Sequence, residues 1–369
     1  MLNTKEHPFY IRLAFKLAVI FLIGLLIHTE KIVLVPLYFA VLLSILLLPL
    51  ANFFETIKFP RALAALLSVL LALIFIGSIV WFLSDHLTRF MADIPSIKNN
   101  INEHLNTLQV WVQEKFNVSS EQQASFLKTA KGNMNLVSGN SIGQTLLTVT
   151  QTVLLIVIVI IYSFLILYYR RLIQKVIFAL YDRTHQEQVK EALQESKSVV
   201  KRYMQGLVIE MLIIAIANCA VLLLLGIKYA IFLGVFSAVL NIIPYIGIFT
   251  GMVFTVLVTL GTDASLHQLI WIVISMEIIH FIDANFLMPR IVGSRVKINA
   301  LITILGAVTG GALIGIPGIF LALPTIAILK IIFDRVDDMK PWGMLLGDES
   351  PPSKIASQIK KITTKRKKQ

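Results

Sequence analysis

The sequence predicts an all-α polytopic membrane protein with about six full transmembrane helices. Two opposed re-entrant or broken helical hairpins bring the hydrophobic segments to about eight, and a small extracytoplasmic helical domain completes the plan. Three observations carry this. The 369 residues are 57% hydrophobic and only 15% charged, with a mean hydropathy of +0.80, far from the balance of a soluble domain. Apolar runs long enough to cross a bilayer recur along the chain, where roughly 20 residues suffice. Two further runs, Tyr229 to Leu260 and Ile298 to Lys330, are too long for one straight crossing and are broken near their middles by glycine and proline.

The first apolar run, Ile11 to Ile27, contains Arg12 and Lys16 and has the look of a signal peptide. No small-residue cleavage site follows it, so it is read as a retained first helix. Ile32 to Leu50 and Ala62 to Leu83 form the second and third spans, closing an N-terminal region at residues 1–83. Lys58 and Arg61 between them favour a cytoplasmic N-terminus.

From residue 84 to 145 the chain turns polar. Ile94, Ile97, Ile101, Leu105, Leu108, Val112 and Phe116 recur at spacings of three and four, which predicts an amphipathic helix. Ser120 and Gln123 suggest a capping box that starts another. This region is either a lid or partner contact, or a helical hairpin packed on its own spans. A sequon at Asn117 falls within it.

The fourth span, 146–169, meets Arg170, Arg171 and Lys175 and leads into a basic cytoplasmic connector, 170–204, with Glu187, Glu191 and Glu195 on one solvated face. A C-terminal region, 205–333, holds a fifth span with Glu210 near its start and Asn218 at its centre, and the two broken hairpins at 229–260 and 299–332. If the first hairpin folds back from outside, Arg290, Arg295 and Lys297 fall in the cytoplasm, as the positive-inside rule prefers. The second then enters from inside, and both termini stay cytoplasmic. Opposed broken segments are a mark of secondary transporters.

Ionisable groups within spans are costly and point to function. Glu277, His280 and Asp283, three apart, are candidates for proton or ion coupling, the other reading being an interfacial or structural ion pair. Asn241, Pro244, Gly247 and Gly251 break the first hairpin; Gly310, Gly311, Gly315, Pro317 and Gly318 break the second. These nine are the candidate substrate pathway, although glycines spaced by four also serve close helix packing. Asn241 has two possible partners, a substrate or the carbonyl that Pro244 leaves unpaired. Glu210 reads as a solvated cap or a gate.

Some classes are excluded or unsupported. Cys219 is the only cysteine, so neither an intramolecular disulfide nor a cysteine metal cluster can form. The chain has no phosphate-binding G-x-x-x-x-G-K-[ST] and no H-E-x-x-H, so an ATP-driven pump and a zinc protease lack support. No catalytic residue, metal or cofactor is expected. The tail, 334–369, ends in a run with seven basic residues and no acidic one; anionic lipid headgroups account for it without nucleic acid.

The ordered motifs NIIPYIG, NFLMPRIVGSRVKINAL and GGALIGIPGIFLALPTIAILKIIFD resemble those of the AI-2E (autoinducer-2 exporter) family, with Ala300 where many members carry proline. The resemblance covers nearly the whole chain. It implies a secondary transporter, not an enzyme, of the bacterial cytoplasmic membrane that forms homo-oligomers, pentameric in the exporter type. It also implies either export of the quorum-sensing signal autoinducer-2 or sodium/proton antiport. On the matching motifs, Pro289, Gly293 and Pro324 join the hairpin residues as hinge or motif positions. The reading from another class is a non-transporting scaffold, against which the costly broken backbone argues.

Overall fold

The structure is a computed structural model that describes residues 9–116, 141–182, 185–243, 246–262, 265–291 and 298–348. Ser120 with Gln123, the Asn117 sequon, Pro244, Gly293, Arg295, Lys297 and the basic tail lie outside these residues. Apart from one isolated bridge between Ile298 and Gly347, all regular structure among the described residues is helical. In a bilayer this is what an apolar sequence must do, because a helix satisfies its backbone groups within a single segment.

The elements are α1 (Phe9–Thr29), α2 (Lys31–Thr56), α3 (Arg61–Phe116), α4 (Ser141–Ala179), α5 (Gln186–Leu224), α6 (Ala230–Leu240), α7 (Ile246–Leu260) and α8 (Leu266–Ile282). A π-helical turn, Asp283–Leu287, and a short α9 (Met288–Ile291) extend α8; α10 (Ala300–Ile314), α11 (Ile316–Arg335) and α12 (Lys340–Leu346) follow. Among the described residues, six segments are long and apolar enough to cross a membrane: Lys31–Thr56, Arg61–Pro95, Leu154–Ala179, Gln186–Leu224, His267–Leu287 and Ile316–Arg335. The protein is a multi-pass, all-α membrane protein.

Three boundaries differ from the sequence reading. α3 runs without a break through residue 83, as one helix of 56 residues with Pro95 inside it, so the third span and the amphipathic segment share a single rod. α5 likewise begins at Gln186 and continues through the start expected for the fifth span. The second broken run divides unequally, into 15 residues of α10 and 20 of α11; the second arm reaches span length by itself.

The chain forms two compact units. One comprises the described residues of Met1–Val176 and Lys201–Val292. Its core packs Phe90 of α3 against Leu222 of α5, Phe232 and Leu233 of α6, Val258 of α7 and Ile272 and Met276 of α8. Leu47, Ala51, Ala65, Val69 and Leu167 join α2, α3 and α4. Ser44 Oγ donates to Ser163 O at 3.2 Å across the buried α2–α4 contact, and Glu55 receives Arg170 at 2.8 Å at its end. Polar links of this kind hold helices together where lipid supplies no hydrophobic drive.

Ser265 starts α8 with a capping box: its hydroxyl accepts from Gln268 N, and its own N–H donates to Gln268 Oε1. Gln268 Nε2 also donates to Leu225 O at 3.0 Å. This double tether fixes the start of the helix that carries His280 and leads to Asp283.

The other unit comprises the described residues of Ile177–Val200 and Gly293–Gln369. α10 and α11 fold against one another as a hairpin about Gly315, whose φ of 72° and ψ of −151° suit glycine. The base is closed by Asn299. Its side chain accepts from Ile302 N, capping α10 so that Ala300 takes the first helical position. The same amide donates to Leu345 O at 2.8 Å and Gly347 O at 3.1 Å, binding α12 to the hairpin.

Candidate functional site

The first unit buries a group of polar side chains around the end of α6. Asn241 is the C-terminal cap of α6, where the helix stops. Its Nδ2 donates to Asp283 Oδ2 at 3.3 Å. Asp283 opens the π-helical turn, an irregularity that recurs at functional sites. From α5, whose Met211 and Ile214 pack with Ala238 of α6 and Ile279 of α8, Glu210 brings its carboxyl beside that of Asp283. Further along α5, Asn218 Nδ2 donates to Ser237 Oγ of α6 at 3.4 Å.

Burial makes this group costly. Glu210 is 6% exposed, Asp283 3% and His280 5%. Glu210 Oε2, Asp283 Oδ1, Asn218 Oδ1 and both ring nitrogens of His280 have no hydrogen-bond partner among the described residues. Buried polar atoms are satisfied in the large majority of cases, and each unpaired one carries a penalty of about 1–3 kcal/mol. Several in one buried group make this the candidate site.

His280 and Asp283 are thus brought together, and Asn241 joins them. Glu277 is not: it lies exposed on α8. With about 100° per residue, six positions along a helix leave Glu277 some 120° around the axis from Asp283. Glu210 is the reverse case. Counted from a span beginning near Leu207 it reads as a terminal, wet residue, but α5 has already run for many turns and Glu210 is buried within the bundle.

The hairpin glycines lie along packing seams. A Cβ on Gly247 would meet Leu240 O at 1.8 Å, and one on Gly251 would meet Ser237 Oγ at 2.6 Å. In the second unit, Cβ atoms on Gly310 and Gly318 would meet the opposite residue's carbonyl oxygen at 2.4 and 1.9 Å. Gly311 faces Ile319, Gly315 forms the turn, and Pro317 starts α11. Pro324 is buried inside α11, and Pro289 belongs to α9. Among the described residues no group of three or more His, Cys, Asp or Glu is arranged to hold a metal ion.

Comparison with known proteins adds the family. The model of the AI-2E family transporter matches residues 15–338. YrrI of Bacillus subtilis strain 168, provisionally named a transport protein, is 25% identical over 320 residues, covering 82% of this chain and 86% of its own. YueF of the same organism, likewise provisionally named, is 25% identical over 90% of this chain and 94% of its own. The AI-2 transport protein TqsA of Escherichia coli K12 is 24% identical, over 89% of this chain and 93% of its own.

Proposed function

The chain belongs to the AI-2E transporter family, and from that membership we propose that it is a secondary transporter exporting a small molecule such as autoinducer-2. Membrane transport is the family's role. The substrate and the mechanism are the further step. The observation that carries this step is the buried polar group at the α6–α7 break, where Asn241 bonds Asp283 at 3.3 Å. Interrupted helices near buried ionisable groups are where transporters of this kind place their sites. In this reading the broken hairpins, α6–α7 and α10–α11, shift by small movements along their glycine seams. That shift exposes the path alternately to each side, and His280 and Asp283 couple it to protons or sodium.

A second reading, cation/proton antiport, is favoured by one observation: the unpartnered oxygens are on buried carboxyls rather than on neutral groups alone. In that case the acidic residues are the transport site itself. We also assign the chain to the bacterial cytoplasmic membrane as a homo-oligomer, with cytoplasmic termini and anionic headgroups near the basic tail.

The test is flux in proteoliposomes holding the purified protein, with an imposed proton or sodium gradient, reading internal pH and autoinducer-2 release together. Gradient-dependent release supports the coupled exporter. Proton movement driven by sodium, without autoinducer-2, selects the antiporter. If neither moves, and a panel of other small metabolites stays in place, both transport readings fall.

A further inference from the structure

The exporter reading gives Glu210 no role, yet it is as buried as the residues that have one. It reaches Asp283 from α5, whereas Asp283 stands at the π-helical turn after α8 and is tied to α6 through Asn241. Three segments therefore converge on two carboxyl groups. Ionised carboxylates are acceptors only, so two of them cannot hydrogen-bond each other unless one carries a proton. Each also keeps an oxygen, Glu210 Oε2 and Asp283 Oδ1, that no donor among the described residues reaches.

Among the described residues nothing nearby neutralises two charges. His280 and Asn241 act on Asp283, and Glu277 acts on His280. Tyr203, also on α5, interacts electrostatically with Glu210 and with Tyr38 of α2. Among the described residues, no Lys or Arg forms an ion pair with either carboxyl. Like charges in such contact cannot both persist in a site with little water, and the usual outcome is a pair sharing one proton.

We propose that Glu210 and Asp283 form a carboxyl pair that binds one exchangeable proton at the break of the α6–α7 hairpin, and that this proton is the coupling ion of transport. The coupling half of the proposal rests on the transport reading above. Loading takes H⁺ from water on one side, turning the doubly charged pair into a singly charged one; unloading returns that H⁺ to water on the other side. When the proton leaves, repulsion separates the carboxylates, and Asp283 is left with Asn241 as its donor. The Asn241–Asp283 bond then pulls on the end of α6, which converts a proton into a movement of the hairpin.

The experiment is infrared spectroscopy of the full-length protein in lipid, following the C=O stretch of buried protonated carboxylic acid. Wild type is expected to show this band at neutral pH and to lose it on alkaline titration. Glu210→Gln and Asp283→Asn, both close in shape to the native side chains, are each expected to lack it, while Glu277→Gln keeps it. A wild type without the band, or a band that survives in both Glu210→Gln and Asp283→Asn, overturns the pair. Proton-driven autoinducer-2 flux is expected to fall roughly tenfold or more in Glu210→Gln, the scale of losing one hydrogen bond to a charged group. Unchanged flux in that variant overturns the coupling role. If wild type moves no autoinducer-2 but the band behaves as expected, the export reading fails and the shared proton stands.

Discussion

Asn241 Nδ2 donates to Asp283 Oδ2 across 3.3 Å, joining the last turn of α6 to the only π-helical turn among the described residues. Both residues are buried, so neither has bulk water as an alternative partner. Asn241→Ala removes the donor and leaves another acceptor oxygen unpaired. The expected loss is about 1–3 kcal/mol of stability, read as a lower thermal midpoint in detergent, together with slower flux. A variant that melts and transports like wild type contradicts a working link between hairpin and carboxylate.

Asp283 and Glu277 differ in surroundings although they share one helical stretch. Asp283 is enclosed and touches Glu210 and Asn241; Glu277 lies on the exposed side of α8. Asp283→Asn is expected to depress ion-driven flux more than Glu277→Gln in matched proteoliposomes. If Glu277→Gln is the more damaging, the exposed face of α8 carries the coupling. If neither variant changes ion-driven flux, coupling through these carboxylates is wrong altogether.

The contrast also shows what the sequence made legible. Hydropathy announced the class, because lipid forces apolar stretches into helices and glycine or proline marks where they break. Asn241, His280 and Asp283 stand out in the sequence because a polar residue in such a stretch needs a reason. Glu210 was misread because its depth depends on where α5 starts, and a polar amphipathic first half conceals that start from a hydropathy count. Spacing by three placed Glu277 with His280 and Asp283, but at about 100° per residue six positions carry it some 120° around the axis from Asp283. The span-long arm of α11 was hidden by Pro317 and Gly318, which look like breakers but start the helix and pack it against Gly310.

The seams themselves make a sharp prediction. At Gly247 and Gly318 an added methyl would collide with backbone oxygens, Leu240 O at 1.8 Å and Gly310 O at 1.9 Å, which no rotamer change relieves. Gly247→Ala and Gly318→Ala are each expected to cost about 1–3 kcal/mol or more by overpacking. Gly77→Ala is the control: nothing lies within 4 Å of its Cβ position. Thermal unfolding in detergent separates the cases, and equal midpoints for all three would mean that the hairpins are not tightly closed.

On the first unit, Lys228 Nζ donates to Asp93 Oδ2 at 2.6 Å, linking α3 to the connection between α5 and α6. The hydrogen bond from Lys228 to Asp93 holds the ammonium above its ordinary pKa of 10.5. A raised pKa contributes stability that is complete below the unfolded value and lost as pH climbs through the folded one. The difference in thermal midpoint between wild type and Lys228→Met should therefore stay constant through the neutral range and close only above pH 10.5. A gap that changes near neutrality would assign the dependence to another group.

In the second unit Asn299 does two jobs with one side chain. Its oxygen accepts from Ile302 N to start α10, and its amide donates to Leu345 O and Gly347 O to hold α12. Asn299→Asp keeps the cap and loses the donors; Asn299→Ala loses both. Loss of an N-cap typically costs about 0.5–2 kcal/mol, so Asn299→Ala should raise amide exchange in the first turn of α10 and in α12 alike. Asn299→Asp should raise it in α12 only. Equal protection of α12 in both variants and wild type would show that the helix is held through its backbone bridge to Ile298, not by this side chain.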